Sequence, residues 1–190
     1  MTEESAQPKP QCDGEVPAAD QEPVTPNPEF TAMLIEKGAE TLNLCFQCGT
    51  CTGSCASGRF TAFRTRKVVR RAQLGLKDQI LSCDDLWMCT TCYTCYERCP
   101  RGVEIPDIIF LLRNLAVQEG FMGEAHKKVA GLLVKTGHMV PLSDEYQTKR
   151  ENMGLKVKPD TVLTNEKAKT DFNKLIQICK FDKLIGMGGE

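Results

Sequence analysis

No stretch of this 190-residue chain stays apolar for long. The longest uninterrupted run, residues 108–112, stops at Arg113, far short of the ~20 residues that a membrane-spanning helix needs. The first twenty residues, MTEESAQPKPQCDGEVPAAD, are polar and acidic and lack the apolar segment of a secretory leader. Both absences predict a cytoplasmic protein that meets no membrane. Aromatic residues make up only 6% of the chain, and Trp87 is the single tryptophan. A large apolar core is therefore not available, and bound inorganic groups are expected to replace part of it. A net charge of −1 gives the chain no bulk attraction for nucleic acid. There is no dinucleotide-binding fingerprint, no P-loop and no nucleophile–base motif, so no residue is a candidate for catalysis.

Cysteine, in contrast, is abundant. Eight of the eleven cysteines fall into two groups, Cys45, Cys48, Cys51 and Cys55, then Cys89, Cys92, Cys95 and Cys99, displaced by 44 residues throughout. Each group reads C-x2-C-x2-C-x3-C, the spacing that wraps a cubane [4Fe–4S] cluster. In a reducing compartment such density indicates cluster or metal ligation rather than a disulfide framework. Three thiolates two residues apart curl around one cluster, while the fourth points away, and in two-cluster ferredoxins that fourth cysteine serves the other cluster. The repeat makes the same exchange available here. It assigns Cys45, Cys48, Cys51 and Cys99 to one cluster and Cys89, Cys92, Cys95 and Cys55 to the other, so that all eight cysteines are committed to iron. Gly49 and Gly53 permit tight turns close to the sulfides, and Thr50, Thr52, Thr90, Thr91 and Thr94 offer hydroxyl donors. Pro100 follows Cys99 as in the bacterial ferredoxin run, whereas Ala56 follows Cys55. The alternative is structural zinc, which usually takes two separated C-x2-C pairs. Iron content and visible absorption that bleaches on reduction distinguish the two.

Outside the groups, Cys83 reads as a small buried thiol and Cys179 as packing, while Cys12 lies in a polar tail with no evident mate. His126 and His138 read as ordinary surface or packing residues. Residues 56–77 contain seven basic side chains and no acidic one. Arg64, Lys67 and Arg71 share a helical face there, which is either a solvated face compensating anionic clusters or a dock for an acidic partner.

The fold class expected is mostly α. A flexible tail, residues 1–28, carries six of the ten prolines. A helical two-cluster ferredoxin-like domain follows at 29–122, then a helical extension at 123–190 for contacts with other subunits. Helices are predicted at 29–37, 60–74, 106–119, 123–136, 143–153 and 165–180. Gly38, Gly75, Gly120, Gly137 and Gly154 stop the first five. Val69, Ala72 and Leu76 form the buried stripe of the second, and Phe172, Leu175, Ile176 and Cys179 that of the last.

The stretch LNLCFQCGTCTGSC, the basic helix after it, and LWMCTTCYTCYERCPRGVEIPDII resemble the C-type iron–sulfur subunit of the heterodisulfide reductases of methanogenic archaea. The resemblance covers about residues 30–135 and, more loosely, the helical tail. The cysteine groups alone fit many proteins, including iron–sulfur subunits of succinate and glycerol-3-phosphate dehydrogenases. The surrounding wording is more specific. The resemblance implies two [4Fe–4S] clusters and a relay role in methanogenesis. The relay runs from an A-type, flavin-containing subunit to a B-type, catalytic one that reduces the coenzyme M–coenzyme B heterodisulfide. The resemblance also implies assembly with a hydrogenase or formate dehydrogenase. A free ferredoxin-type carrier, or an iron–sulfur subunit of a membrane-associated dehydrogenase, is the alternative.

Overall fold

An asparagine and a proline start the first helix. In the computed structural model, which describes residues 25–186, the Asn27 side chain accepts hydrogen bonds from the backbone N–H of Glu29 (3.0 Å) and Phe30 (3.2 Å). Pro28, whose missing N–H costs nothing at that position, begins α1 (Pro28–Glu36). Most of the expected tail, with Cys12, lies outside the described residues.

The described residues are helical, with no strand among them, as the pattern predicted. They form two compact units that divide between Phe121 and Met122. The first contains α1, α2 (Thr50–Ser54), α3 (Thr65–Gln73), α4 (Lys77–Leu81), α5 (Thr94–Glu97) and α6 (Ile105–Gln118). Its core is built from Leu34, Leu42, Val69, Ala72, Leu81, Leu86, Ile108, Ile109 and Leu112, all buried. Each large side chain among these contributes roughly 1.5–3 kcal/mol of burial.

Two features of α3 differ from expectation. The helix starts at Thr65, not at residue 60, because the Arg64 guanidinium folds back onto the carbonyls of Gly58 (3.0 Å), Thr61 (2.9 Å) and Phe63 (3.0 Å). Those bonds hold the preceding segment as a loop, with Phe60 89% exposed. Leu76 does not extend the stripe of α3. Gly75, at φ +67°, ends that helix, and Leu76 caps α4 instead.

The glycine at 75 has a second reason. A Cβ there would lie 1.7 Å from the carbonyl oxygen of Asn27, whose own N–H donates to Leu74 O at 3.1 Å. This close approach seats the start of α1 against the end of α3. Thr31 strengthens the seat by donating its hydroxyl to Ala72 O at 2.9 Å.

The second unit holds α7 (Glu124–Thr136), α8 (Asp144–Asn152), α9 (Glu166–Ile178) and α10 (Phe181–Leu184). Asn165 caps α9 by accepting from the N–H groups of Lys167 and Ala168, both at 3.0 Å. Phe172 and Ile176 are half-buried, but Leu175 is 60% and Ile178 76% exposed. Cys179 is exposed rather than packed, because it is the residue that ends α9 and lies past its covered side. His138 Nδ1 engages the backbone of Val140. No described helix is long and apolar enough to cross a membrane.

Candidate cluster-binding site

The 44-residue repeat in sequence is a repeat in backbone. A 3-10 helix, Glu40–Leu44, delivers Cys45, and its counterpart Asp84–Met88 delivers Cys89. Two left-handed residues follow in each loop: Gln47 (φ 65°) and Gly49 (φ 88°) in the first, Thr91 (φ 52°) and Tyr93 (φ 60°) in the second. Three of these four are not glycine and cost roughly 1–2 kcal/mol each, which the surrounding contacts must offset. The reversal lets α2 begin just after Cys48 and α5 just after Cys92, so that Cys51 and Cys95 lie on those short helices, which pack against each other.

The clamps on the two loops are also duplicated. Gln73, at the end of α3, donates through Nε2 to Leu42 O (3.2 Å) and Cys45 O (2.8 Å). Arg113, on α6, donates to the matching carbonyls, Leu86 O (3.1 Å) and Cys89 O (2.6 Å). Its guanidinium also lies 5.6 Å from the centre of the Trp87 ring. Sequence reasoning missed both clamps. They correspond at a spacing of 40 residues, not 44, because the stretch between Cys55 and α3 is longer than that between Cys99 and α6.

Several donors reach the sulfurs. The N–H of Gly58 donates to Cys55 Sγ (3.3 Å), that of Val103 to Cys99 Sγ (3.4 Å) and that of Thr91 to Cys89 Sγ (3.4 Å). Gln47 Nε2 donates to Cys45 Sγ at 3.5 Å. The hydroxyls of Thr50 and Thr94 lie 3.4 Å from the sulfurs of Cys48 and Cys92. Those two contacts, on exposed thiols, hold Cys48 and Cys92 below the usual cysteine range. Burial pushes Cys51, Cys89 and Cys95 the other way, and Cys95 reaches about 12, with Cys89 and Cys51 adding repulsion.

The structure places Cys55 of the first group on the wall of a pocket with Cys89, Cys92 and Cys95 of the second. Cys45 and Cys48 lie close enough to Cys51 for their charges to oppose its ionisation. Cys99 packs on the same core as Cys45, Cys55, Cys89 and Cys95. Phe63, Pro106, Ile109 and Thr65, with Thr90, Thr91, Tyr93 and Thr94, complete the lining of the pocket beside Cys55. The Thr65 hydroxyl is buried there with no hydrogen-bond partner. A buried hydroxyl left unsatisfied costs about 1–3 kcal/mol; a thiolate- and sulfide-rich cluster supplies the missing acceptor, so these residues fit one. Among the described residues, no three His, Cys, Asp or Glu side chains converge tightly enough to hold a single metal ion. Zinc needs four donors within about 2.0–2.3 Å of one point. A cubane instead takes one thiolate at each of four separated irons.

Beside Cys45 lies a basic groove of about 760 Å³, with Arg64, Arg66, Lys67, Arg70 and Arg71 along it and Phe46, 61% exposed, on its wall. Arg66 N–H is fixed by Thr52 Oγ1 at 2.8 Å. Partial burial lowers the pKa of both Lys67 and Arg71. Cys83 is buried as expected, with its sulfur 4.0 Å from an Arg71 nitrogen, but it is disulfide-bonded and not a free thiol.

Residues 41–103 match the family model of the 4Fe-4S dicluster domain. The chain is 51% identical over 172 residues to the C-type iron–sulfur subunit of the CoB–CoM heterodisulfide reductase of Methanopyrus kandleri, covering 86% of this chain and 90% of that one. It is 48% identical to the C-type subunit of the H(2):CoB-CoM heterodisulfide,ferredoxin reductase of Methanothermobacter marburgensis, over 85% of this chain and 88% of the other. It is 47% identical to the C-type subunit of the ferredoxin:CoB-CoM heterodisulfide reductase of Methanosarcina mazei, over 82% and 96%.

Proposed function

Since this chain belongs to the family of C-type heterodisulfide reductase subunits, and so is an iron–sulfur electron-transfer component of an oxidoreductase complex, we propose that it carries two [4Fe–4S] clusters and relays electrons from a flavin-containing subunit to a catalytic one. The catalytic partner reduces the coenzyme M–coenzyme B heterodisulfide of methanogenesis, and a hydrogenase or formate dehydrogenase supplies the electrons in the cytoplasm. The clusters, when bound, supply one-electron carriers; the chain's residues hold, insulate and orient them.

Cys45, Cys48, Cys51 and Cys99 hold the first cluster, and Cys89, Cys92, Cys95 and Cys55 the second. The observation that carries this crossing is Cys55, which shares a pocket with the three sulfurs of the other group. Gln73 and Arg113 fix the two loops at the carbonyls that flank the first cysteine of each. The unit ending at Phe121 is the conductor, and the helices beyond it make the contacts with other subunits. The exposed Leu175 and Ile178 support a protein seated in a complex over a free carrier. The basic groove beside Cys45 docks an acidic surface of a partner.

The test is anaerobic purification of the full chain with its co-eluting partners, followed by iron analysis and Mössbauer spectroscopy. Roughly eight irons per chain, all in cubanes, and co-elution of the flavin-containing and catalytic partners are expected. A stable lone holoprotein indicates the free carrier instead. Cys99→Ser should damage the cluster held by Cys45, Cys48 and Cys51. Damage confined to the one held by Cys89, Cys92 and Cys95 overturns the crossing.

A further inference from the structure

Thr65 is 1% exposed, and its hydroxyl has no hydrogen-bond partner in the protein. It is the first residue of α3, where the backbone carbonyl four residues back is outside the helix, so the back-bond that often satisfies a helical threonine is not made. Around it the pocket is lined by the apolar Phe63, Pro106 and Ile109, by Thr90, Thr91, Tyr93 and Thr94, and by Cys55, Cys89, Cys92 and Cys95. No protein acceptor among these meets the hydroxyl, and four cysteines line the same pocket, where the proposed cluster would bring sulfide and thiolate sulfur.

The other half of the duplication provides an internal control. Gln73 and Arg113 clamp equivalent carbonyls at a spacing of 40 residues, and the same spacing pairs the helix-starting Thr65 with the helix-starting Ile105. Ile105 is equally buried and carries no donor. A hydroxyl is therefore present at only one of the two corresponding positions.

We propose that Thr65 donates its hydroxyl hydrogen bond to the cluster bound by Cys55, Cys89, Cys92 and Cys95, and thereby raises the reduction potential of that cluster and not of its neighbour. The proposal rests on the crossed ligation proposed above. A hydrogen bond to sulfur strengthens as an added electron makes the cluster more negative, so it favours the reduced state. The burial of the hydroxyl itself lowers the local dielectric and keeps the effect large. Thr65 acts as a positioning and tuning residue, and the bias it gives is for an electron to rest on the second cluster.

The experiment is an EPR-monitored reductive titration of the anaerobically purified full-length holoprotein and of two variants. Thr65→Val keeps the shape and removes the O–H; Thr65→Ser keeps the O–H. In the valine variant, about a tenfold loss in the reduction equilibrium constant of one cluster is expected, a downward shift of about 59 mV for one electron. The other cluster stays in place, and serine restores the shift. Pulsed ENDOR after exchange into heavy water should show, besides the couplings of the Gly58 and Thr91 N–H donors, one further strongly coupled exchangeable hydrogen in the unmodified and serine proteins that valine lacks. Valine potentials that stay unmoved, or that move equally for both clusters, overturn the proposal, as does a serine variant that fails to rescue. If the valine variant fails to hold iron, absence of that further exchangeable coupling in the unmodified protein overturns it alone. Mössbauer spectra of the same samples separate the two levels. Intact cubanes with an unmoved potential reject only the role of the hydroxyl, whereas fewer than two cubanes in the unmodified protein reject the ligation beneath it.

Discussion

Among the cysteines, exposure and local hydrogen bonding sort the sulfurs by ease of ionisation. Cys48 and Cys92 are exposed and held toward the thiolate by Thr50 and Thr94, while burial raises Cys51, Cys89 and Cys95. In protein stripped of iron, brief iodoacetamide treatment at neutral pH should therefore label Cys48 and Cys92 first and Cys95 last, as read by peptide mass spectrometry. The same ordering sets the pH dependence of iron loading. Cys95, raised to about 12, is protonated at neutral pH and must release its proton to iron, so loading strengthens as pH rises and weakens toward acid. Reconstitution yield followed by visible absorption across the range from mildly acidic to mildly alkaline buffer checks the sign. A loop clamp gives a second residue-scale prediction. Arg113→Met leaves the carbonyls of Leu86 and Cys89 without their donor and should destabilise the holoprotein by about 3 kcal/mol in a urea titration. Gln73→Leu should act on the first loop by a smaller amount, since its donor is uncharged. The two cysteine groups were legible because their repeat is a spacing along the chain. Gln73 and Arg113 were not, because each reaches its loop across 24 to 31 residues of chain. Thr65 was not legible either, because it joins the site only through the shared wall of a pocket.

Helix ends were legible where one residue type carries the backbone demand. Gly75, Gly120, Gly137 and Gly154 sit at positive φ at the ends of α3, α6, α7 and α8, as the pattern predicted. The start of α3 was not legible, because the basic run hides a local use of Arg64 as a collector of loop carbonyls. The short helices α2, α4 and α5, at four or five residues each, fall below the length at which apolar periodicity is readable. Gly75→Ala tests the seat between α1 and α3. The added methyl would meet Asn27 O at 1.7 Å on top of an unfavourable left-handed backbone, so α1 must shift, at a cost of more than about 1 kcal/mol. Gly38→Ala, at φ +112° but with nothing within 4 Å, should cost only the backbone strain. A urea midpoint for Gly75→Ala no lower than for Gly38→Ala would show that the Asn27 contact is not a constraint.

At the scale of the molecule, near-zero net charge conceals a strong local field. The groove beside Cys45 gathers five basic side chains. Arg64 also supports its own loop, so reversing it would confound docking with unfolding. The Arg66 guanidinium likewise reaches Gln47 O at 3.5 Å, so Arg70→Glu is the cleaner change. It should weaken association with the partner proteins at least ~10-fold at low salt, with the difference shrinking as ionic strength rises, measured by calorimetric or surface-binding titration of the holoprotein. Equal affinity for both forms would remove the groove from the interface. The helical fold class was legible from weak strand signals and repeated glycine stops. The interlocking of the two cysteine loops rested on the ferredoxin precedent, because sequence spacing orders sulfurs along a chain but not around a point in space.

The packing of α2 on α5 also has a consequence in time. A ribosome releases Cys45, Cys48 and Cys51 dozens of residues before Cys99, yet under the crossed arrangement neither cage is complete until both loops have emerged and folded together. Closure of either cage then waits for the second loop, although the helices beyond it need not yet have been made. A chain halted between the two loops can close neither cage.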